Sequence, residues 1–257
     1  MKERSYFYYD VLDSTMLEYK RLREYHRGLI SVRTGSQDDG VGRDNHIWLS
    51  PPGGLWFTFD LKYSGIVSSF ALFTGYCVHR ELCRLFSPLE DKLQIKWTND
   101  IFYDGKKLGG LLCKSHPGRY TIGVGLNTNN EIDEELGKFG AISMKSILGA
   151  DISNEELCYN LINAVEKSER LLSHEITYIT YCNEHLFGKD CFAMIDVGTT
   201  PFEAEILGID LKGALIVRKK MGEIINIHTG SILSIEAFTH PPEINESPDI
   251  DSSQSGN

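Results

Sequence analysis

With 257 residues, 41% of them apolar and 24% charged, the chain has the make-up of a globular protein with room for one large domain and one small one. It has no run of about eighteen apolar residues, and its opening MKERSYFYYD lacks the apolar stretch of a secretory signal. A membrane span and a secretion signal are therefore not expected. The net charge is −10, and the segment after Thr239 adds Glu243, Glu246, Asp249 and Asp251 with no Lys or Arg, so the body is acidic too, which argues against a nucleic-acid binder that neutralises phosphates.

Tyr6 to Leu12 reads as an aromatic-rich strand. Thr15 to Glu18 has the pattern of a capping box, which predicts a helix from Thr15 to near Gly28. Leu29 to Val32 predicts a second strand. Residues 33–48, RTGSQDDGVGRDNHIW, are glycine-punctuated and lack an apolar period; they are too polar for a core and long enough for a binding loop. Leu55 to Leu61 alternates Leu, Phe, Phe and Leu with Trp, Thr and Asp, a strand. Gly65 to Phe86 sets Ile66, Phe70, Phe73, Val78, Leu82 and Leu85 near helical spacing, which predicts a long buried helix. Leu93 to Ile95, the Asp104-Gly105 pair and Lys107 to Ser115 form a hairpin with a type I′ turn. Pro117-Gly118 leads into a third strand, Tyr120 to Leu126. Glu131 to Leu148 reads as short helices and loop. Asn154 to Leu172 is amphipathic, and Glu175 to Leu186 is a further helix stopped by Gly188. From Lys189 onward, five short strands at hairpin spacing predict a small barrel. His240 to Asn257 is rich in Pro, Ser and Asp and is expected to be disordered. Six cysteines (Cys77, Cys83, Cys113, Cys158, Cys182, Cys191) show neither CxxC nor metal-ligand spacing, as expected of reduced thiols in a cytoplasmic protein.

The chemistry concentrates at 93–115, LQIKWTNDIFYDGKKLGGLLCKS. Lys107 lies between the turn and Gly109-Gly110, with Asn99 and Asp100 ahead of it. Glycine inside a strand marks a place where a ligand or another backbone comes close. A lysine, an amide and a carboxylate beside bare backbone suit an anionic, carbonyl-bearing ligand. The same residues read as an ordinary surface hairpin, Asn99-Asp100 as turn formers, and Ser14 and Thr15 as helix caps; the residues alone leave both readings open. His46, His79, His116 and His228 show no pairing for a metal or a triad. Trp56 and Trp97 read as core, and Cys113 as packing.

In order along the chain stand Asp13-Ser14-Thr15, then Gln37, Gly40, Gly42 and Arg43 leading to Trp48-Leu49-Ser50-Pro51. Lys96-Trp97-Thr98-Asn99-Asp100, Lys107-Leu108-Gly109-Gly110-Leu111-Leu112 and Ile122-Gly123-Val124-Gly125-Leu126-Asn127 follow. This series, over residues 6 to 239, resembles the biotin–protein ligases, which carry Q-x-x-G-x-G-R, W-x-S-P, K-W-P-N-D, K-(I/L)-x-G-(I/L)-L and I-G-x-G-x-N in this order. The resemblance implies an α+β fold. A mixed, mainly antiparallel sheet with helices, of the class II aminoacyl-tRNA synthetase-like kind, would span 1–187, an SH3-like barrel 188–239, and a disordered acidic tail 240–257. It implies that biotin and Mg-ATP give biotinoyl-5′-adenylate, which a lysine of a biotin carboxyl-carrier domain then attacks. That domain would dock its edge strand beside the large sheet. Catalytic roles fall to Lys107, Arg43 and Asp100. Ser14, Thr15, Gln37, Gly40, Gly42, Arg43, Lys107, Gly109 and Gly110 would bind biotin. Arg43, Trp48, Asn99, Lys107 and Asn127 would bind ATP and the adenylate. No protein ligand to magnesium is assigned; the ion arrives with ATP. No nucleic acid or membrane partner is implied, and a homodimer is left open.

Some residues depart from the family pattern. Val41 stands where the family usually has an arginine, and Asp38, Asp39 and Asp44 surround Arg43, a local charge poor for phosphate. Thr98 replaces a proline, and Gly230-Ser231 stands where the barrel often has Gly-Glu. No helix-turn-helix module precedes Tyr6, so the short, monofunctional class without repressor activity is expected. Two alternatives remain: a lipoate or octanoate ligase on the same fold, and a non-catalytic sensor of biotin or nucleotide.

Overall fold

The computed structural model describes residues 3–235. In chain order it contains β1 (Arg4–Leu12), α1 (Thr15–Leu22), β2 (Leu29–Gln37), β3 (Leu55–Lys62), α2 (Phe70–Leu85), β4 (Leu93–Lys96), β5 (Asp100–Tyr103), β6 (Lys106–His116) and β7 (Arg119–Leu126). Then come α3 (Glu134–Lys138), α4 (Met144–Leu148), α5 (Asn154–Ser168), α6 (Glu175–Glu184), β8 (Phe192–Asp196), β9 (Phe202–Ile209), β10 (Leu215–Lys219), β11 (Ile224–Ile227) and β12 (Ser231–Ile235). The first seven strands form one sheet in the order β1-β2-β3-β7-β6-β5-β4. Only β1 and β2 run parallel, joined by α1; the other pairs are antiparallel. This is the mixed, mainly antiparallel α+β sheet expected from the sequence.

Alternation along β3 assigns the two faces. Leu55, Phe57, Phe59 and Leu61 join the main core with Phe73 and Val78 of α2 and Leu161 and Val165 of α5. Trp56, Thr58 and Asp60 face the other way and are equally buried, because α1 and its neighbours cover that face: the Thr58 hydroxyl donates to Thr15 Oγ1 at 2.9 Å. Asp60 is fully buried and accepts from Ile30 N at 2.8 Å and from Arg119 at 2.9 Å, with Arg4 at 3.3 Å. A carboxylate out of water needs such partners; here they pin the β1 edge to the sheet.

The second sheet runs β11-β10-β9-β8-β12, all antiparallel. All five expected strands are present. Among the described residues the sheet is open rather than a closed barrel: the chain turns at Gly230, and β12 pairs with β8 instead of β11. Its core is continuous with that of the first sheet. The segment after α6 is tied to β4 where Ile95 N donates to His185 O (2.8 Å) and Phe187 N to Ile95 O (2.9 Å), and the end of β4 meets the β9–β10 turn where Trp97 Nε1 donates to Gly213 O (2.9 Å). The expected end of the barrel at 239 and the tail 240–257 lie outside the described residues.

Several boundaries differ from the sequence reading: β1 begins at Arg4 rather than Tyr6, α5 ends at Ser168 rather than Leu172, and the predicted hairpin of 93–115 has a third strand, β5, which pairs with β4 and β6 and lies between them. The Thr15–Glu18 capping box does not form: Thr15 Oγ1 is engaged by Gln37 and Thr58, and Glu18 by Tyr9 and Arg21, so Ser14 takes the N-cap position. The helix stops at Leu22, not near Gly28, since beyond it Tyr25 points to solvent and offers no apolar face. Strand β2 continues to Gln37, five residues into the predicted loop, because pairing with β1 serves its backbone regardless of side-chain polarity. Helix α2 begins at Phe70 rather than Gly65. The Tyr120 hydroxyl receives Val67 N–H and donates to Gly65 O, which holds 65–67 in a bend and leaves Ile66 95% exposed. The turn at Asp104-Gly105 has the expected positive φ at both residues, 50° and 76°.

On the α1 side of the sheet, β6 and β7 present Gly110, Gly123 and Gly125, with Gly110 directly opposite Gly125. The indole of Trp48 lies in the notch they leave. A Cβ on Gly125 would come within 2.5 Å of Trp48 Nε1, and one on Gly110 within 3.0 Å of the ring. Gly125→Ala should therefore expel the indole. With Trp56 and Trp97 both buried, a red shift of the fluorescence spectrum without loss of fold reports it; an unchanged spectrum would deny the notch.

His79 of α2 ties β4 to α6. Its Nε2 lies 2.9 Å from Leu93 O, which can only accept, so Nδ1 must accept from the Tyr181 hydroxyl, also at 2.9 Å. Burial pushes this imidazole down from 6.5 to about 4. Between those values the unfolded chain binds a proton that the folded one does not, so stability falls as pH drops from 6.5 towards 4, by up to about 3 kcal/mol. Denaturant titrations at pH 7 and pH 4.5 should show a smaller loss for His79→Gln than for the wild type.

Candidate active site

A cleft of about 680 Å³ opens over this glycine face. Ser14, Thr15 and Met16 at the start of α1 form one wall, and Leu112 with the bare backbone of Gly110, Gly123 and Gly125 forms the floor. The excursion after β2 folds over it as an irregular hairpin, bridged at Gln37–Ser50 and Val41–Ile47. Its tip, Arg43–Asn45, is a single 3₁₀ turn. Ser231 and Ile232 of β12 complete the rim.

Lys107 reaches the cleft because β6 bulges there: Ile101 pairs with Gly109 but Phe102 with Lys107, so Leu108 is the extra residue. The backbone of Lys107 is fixed by Gly140 O (2.8 Å) and Ile142 N (3.0 Å). Its ammonium sits 3.0 Å from Asp100 Oδ2 and 4.9 Å above the Trp48 ring. Asp100 is the only carboxylate among the described residues lining the cleft, against three cations, Arg43, Lys96 and Lys107. Burial pushes the Lys96 ammonium down, Asp100 partly offsets this, and Lys107 and Arg43 add to it. An incoming anion would reverse that bias, so the site favours negatively charged ligands.

The guanidinium of Arg43 donates through Nη1 to Thr98 Oγ1 (2.9 Å) and Asn99 Oδ1 (3.4 Å), and through Nη2 to Gly230 O (2.9 Å) and Ser231 Oγ (2.6 Å). Asp44 lies 3.4 Å from its Nε. Gln37 Oε1 accepts from Thr15 N (2.8 Å) and Thr15 Oγ1 (3.1 Å), while Nε2 donates to Ser50 Oγ (2.7 Å). By contrast the Ser14 hydroxyl is buried at the cleft wall without a hydrogen-bond partner. A buried hydroxyl of this kind costs free energy until a ligand supplies its partner.

Ten of the thirteen predicted site residues thus meet at one cleft: Ser14, Thr15, Gln37, Gly42, Arg43, Trp48, Asn99, Asp100, Lys107 and Gly110. Three lie behind its wall. Gly40 backs onto Trp48 O, and Gly109 onto Gly125 O and Leu126; a Cβ on either would come within 2.5 Å of them. Asn127 is buried and accepts from Asn130. Their backbone positions matter to the scaffold, and their side-chain space is not ligand space. The space over Gly110 is also not free for a ligand, since Trp48 fills it. Asn99 spends its amide on Leu111 O (2.7 Å) and so links β6 to Arg43. Sequence reasoning gave no role to Phe139, Lys96, Met16 or Ile232, which also line the cleft. Phe139 is 70% exposed; an aromatic directly after Asp133 to Lys138, where four of six residues are charged, was the available signal.

Residues 8–129 match the model of the biotin/lipoate A/B protein ligase family. Biotin–protein ligase 2 of Arabidopsis thaliana is 32% identical over 101 residues, covering 36% of this chain and 31% of that protein. The chain thus spans about a third of that relative's length. The bifunctional ligase/repressor BirA of Bacillus subtilis is 27% identical over 230 residues, 84% of this chain and 70% of that protein. Among solved structures, the biotin protein ligase of Aquifex aeolicus in complex with biotin and ATP superposes with a TM-score of 0.76 at 23% identity, covering 92% of this chain and 99% of that one. The cleft therefore lies in a chain that has the biotin protein ligase fold and that matches, over residues 8–129, the model of the biotin/lipoate A/B protein ligase family.

Proposed function

We propose that this protein is an ATP-dependent ligase that forms biotinoyl-5′-AMP and passes the biotinoyl group to a lysine of a biotin carboxyl-carrier domain. The observation that carries the reading is the joining, in one cleft, of an apolar floor, an unpartnered buried hydroxyl at Ser14 and three cations around a single carboxylate. Biotin asks for just these: a polar partner at its ureido end, an apolar bed for ring and chain, and cations where its carboxylate meets ATP. In the first step a carboxylate oxygen attacks the α-phosphorus and the bond to pyrophosphate breaks. Negative charge must be met as those bonds change, and fixed cations in a site of low polarity do this best. Lys107 takes that role, preset by the β6 bulge and by Asp100. Arg43 lies on the closing loop and retains the adenylate. Phe139 offers an exposed ring to the adenine base. Magnesium enters on the triphosphate, as part of the substrate.

In the second step the carrier lysine amine attacks the acyl carbonyl, the C–N bond forms, and AMP leaves. Asp100 is the nearby group able to orient that amine and take its proton. Of the two sheet edges, β4 is partly covered by 185–187. Strand β1 exposes Tyr6, Tyr8 and Val11 and ends one residue before Asp13-Ser14 at the cleft, which supports β1 as the docking edge. No helix among the described residues is long and apolar enough to cross a membrane. A cytoplasmic location goes with an ATP-consuming reaction.

Incubation with biotin and Mg-ATP should release pyrophosphate, and adding an isolated carrier domain should raise its intact mass by one biotinoyl group. A protein that binds biotin and ATP but yields no pyrophosphate would be a sensor instead, and one that binds lipoate and not biotin a lipoate ligase. Lys107→Ala should slow adenylate formation about 10²- to 10³-fold or more, the scale for removing one charge-stabilising donor, with its melting transition retained. Arg43→Gly should increase free adenylate and off-target lysine labelling, read by mass spectrometry of a bystander protein.

A further inference from the structure

The covering loop has little of its own to hold its tip. Asp39, Asp44, His46 and Ile47 are exposed, and the internal bridges fix the loop's shape more than its position. At its base, Asp38 N and Asp39 N donate to Leu12 O and Asp13 O. At its tip, the long-range side-chain bonds are those of Arg43, which join three parts of the chain: the loop itself, the Thr98-Asn99 corner, and the start of β12.

We propose that Gly230 and Ser231 of the C-terminal sheet are positioning residues for the adenylate site, acting through Arg43. The two acceptors form a pair for the two N–H groups of Nη2, at 2.9 and 2.6 Å. The backbone of Gly230 packs directly against β8, where a Cβ would come within 2.4 Å of Asp196 O. Ser231 pairs with Asp196 in the β12–β8 ladder. The acceptor pair therefore rides on a hydrogen-bonded sheet rather than on a free loop, and it sets where the guanidinium stands over the cleft. Its partners there, Ser231, Gly230, Thr98 and Asn99, are all uncharged. Uncharged acceptors hold the group in place, and with only the exposed Asp44 carboxylate 3.4 Å from Nε its charge is left more available to a phosphate than a carboxylate in their position would leave it. The C-terminal sheet thus helps retain the intermediate without touching the reacting atoms.

The inference rests on the adenylation reading for its functional half, so two measurements on the full chain are paired. Amide hydrogen exchange without ligands compares wild type, Ser231→Ala and Ser231→Thr. Ser231→Ala should speed exchange in 40–47, and Thr, which keeps the hydroxyl, should restore it. Single turnover with biotin, Mg-ATP and a carrier domain then measures adenylate released against adenylate transferred. Ser231→Ala should raise the released share roughly three- to tenfold, the scale of one hydrogen bond to a partly solvated cation. Ser231→Thr should reverse the change, and Ser231→Ala should add nothing to Arg43→Gly. Loop exchange in Ser231→Ala equal to wild type overturns the proposal whatever the protein's activity. Faster exchange with an unchanged or smaller released share overturns the positioning role. A wild type that releases no pyrophosphate defeats the adenylation reading instead, and the exchange comparison still judges the Arg43 contact.

Discussion

The absence of side chains at Gly110, Gly123 and Gly125 is the constraint from which the site follows. Three glycines on one face of two central strands sacrifice packing and backbone entropy. In return the sheet has a hollow at its middle, where strands are held most firmly on both sides. Trp48 occupies part of it and brings the loop with it; Met16 lies against Gly123, where a Cβ would be 3.1 Å from its sulfur. The floor is thus rigid, while the roof is a loop held by one indole and one guanidinium. That division suits a site that must admit two ligands and then keep the product of their joining.

Electrostatics reinforce the division. The protein as a whole is acidic, at −10, yet the cleft gathers Arg43, Lys96 and Lys107 against Asp100. Lys96 and Lys107 come from β4 and β6 and outweigh Asp100, and Arg43, from the loop, adds a further positive charge over the cleft. Lys107 lies between Asp100 and the face of Trp48, an arrangement that holds the ammonium without using all three of its N–H groups. A cation satisfied by a single carboxylate can still turn to a phosphate.

Much of this was legible in the chain. Asp104-Gly105 specifies its turn through the φ values it tolerates, and the glycine spacing in Gly109-Gly110 and Gly123-Val124-Gly125 marks bare backbone. Period-2 alternation placed β3 and β4, and the Pro117-Gly118 turn placed β7, within a residue or so. The failures have physical causes. A capping-box pattern is a local signal, and long-range partners from β2 and β3 took Thr15 Oγ1 from it. The helical spacing of Ile66 was defeated by a tyrosine hydroxyl 54 residues away in sequence. Gly40, Gly109 and Asn127 lie in motifs that line the cleft, but strand alternation and burial turn their own side-chain positions away. Phe139 and Ile232 were missed because cleft walls are assembled by tertiary contact, and neither residue lies in a motif.

The acidic residues of the loop, which look unfavourable for phosphate in the sequence, are less so in space. Asp38 and Asp39 are exposed, and what they contribute inward is their backbone N–H groups, donated to Leu12 and Asp13. The Asp44 side chain is 74% exposed and no closer than 3.4 Å to the Arg43 Nε. In water, two unit charges about 4 Å apart interact by only about 1 kcal/mol, and salt weakens that further. Arg43 meanwhile makes its shorter bonds to uncharged oxygens of Thr98, Gly230 and Ser231. The guanidinium's charge is therefore not cancelled by a close carboxylate. Retention of an anionic intermediate then depends less on the loop's net charge than on how firmly Arg43 is held, and hence on the sheet that holds it.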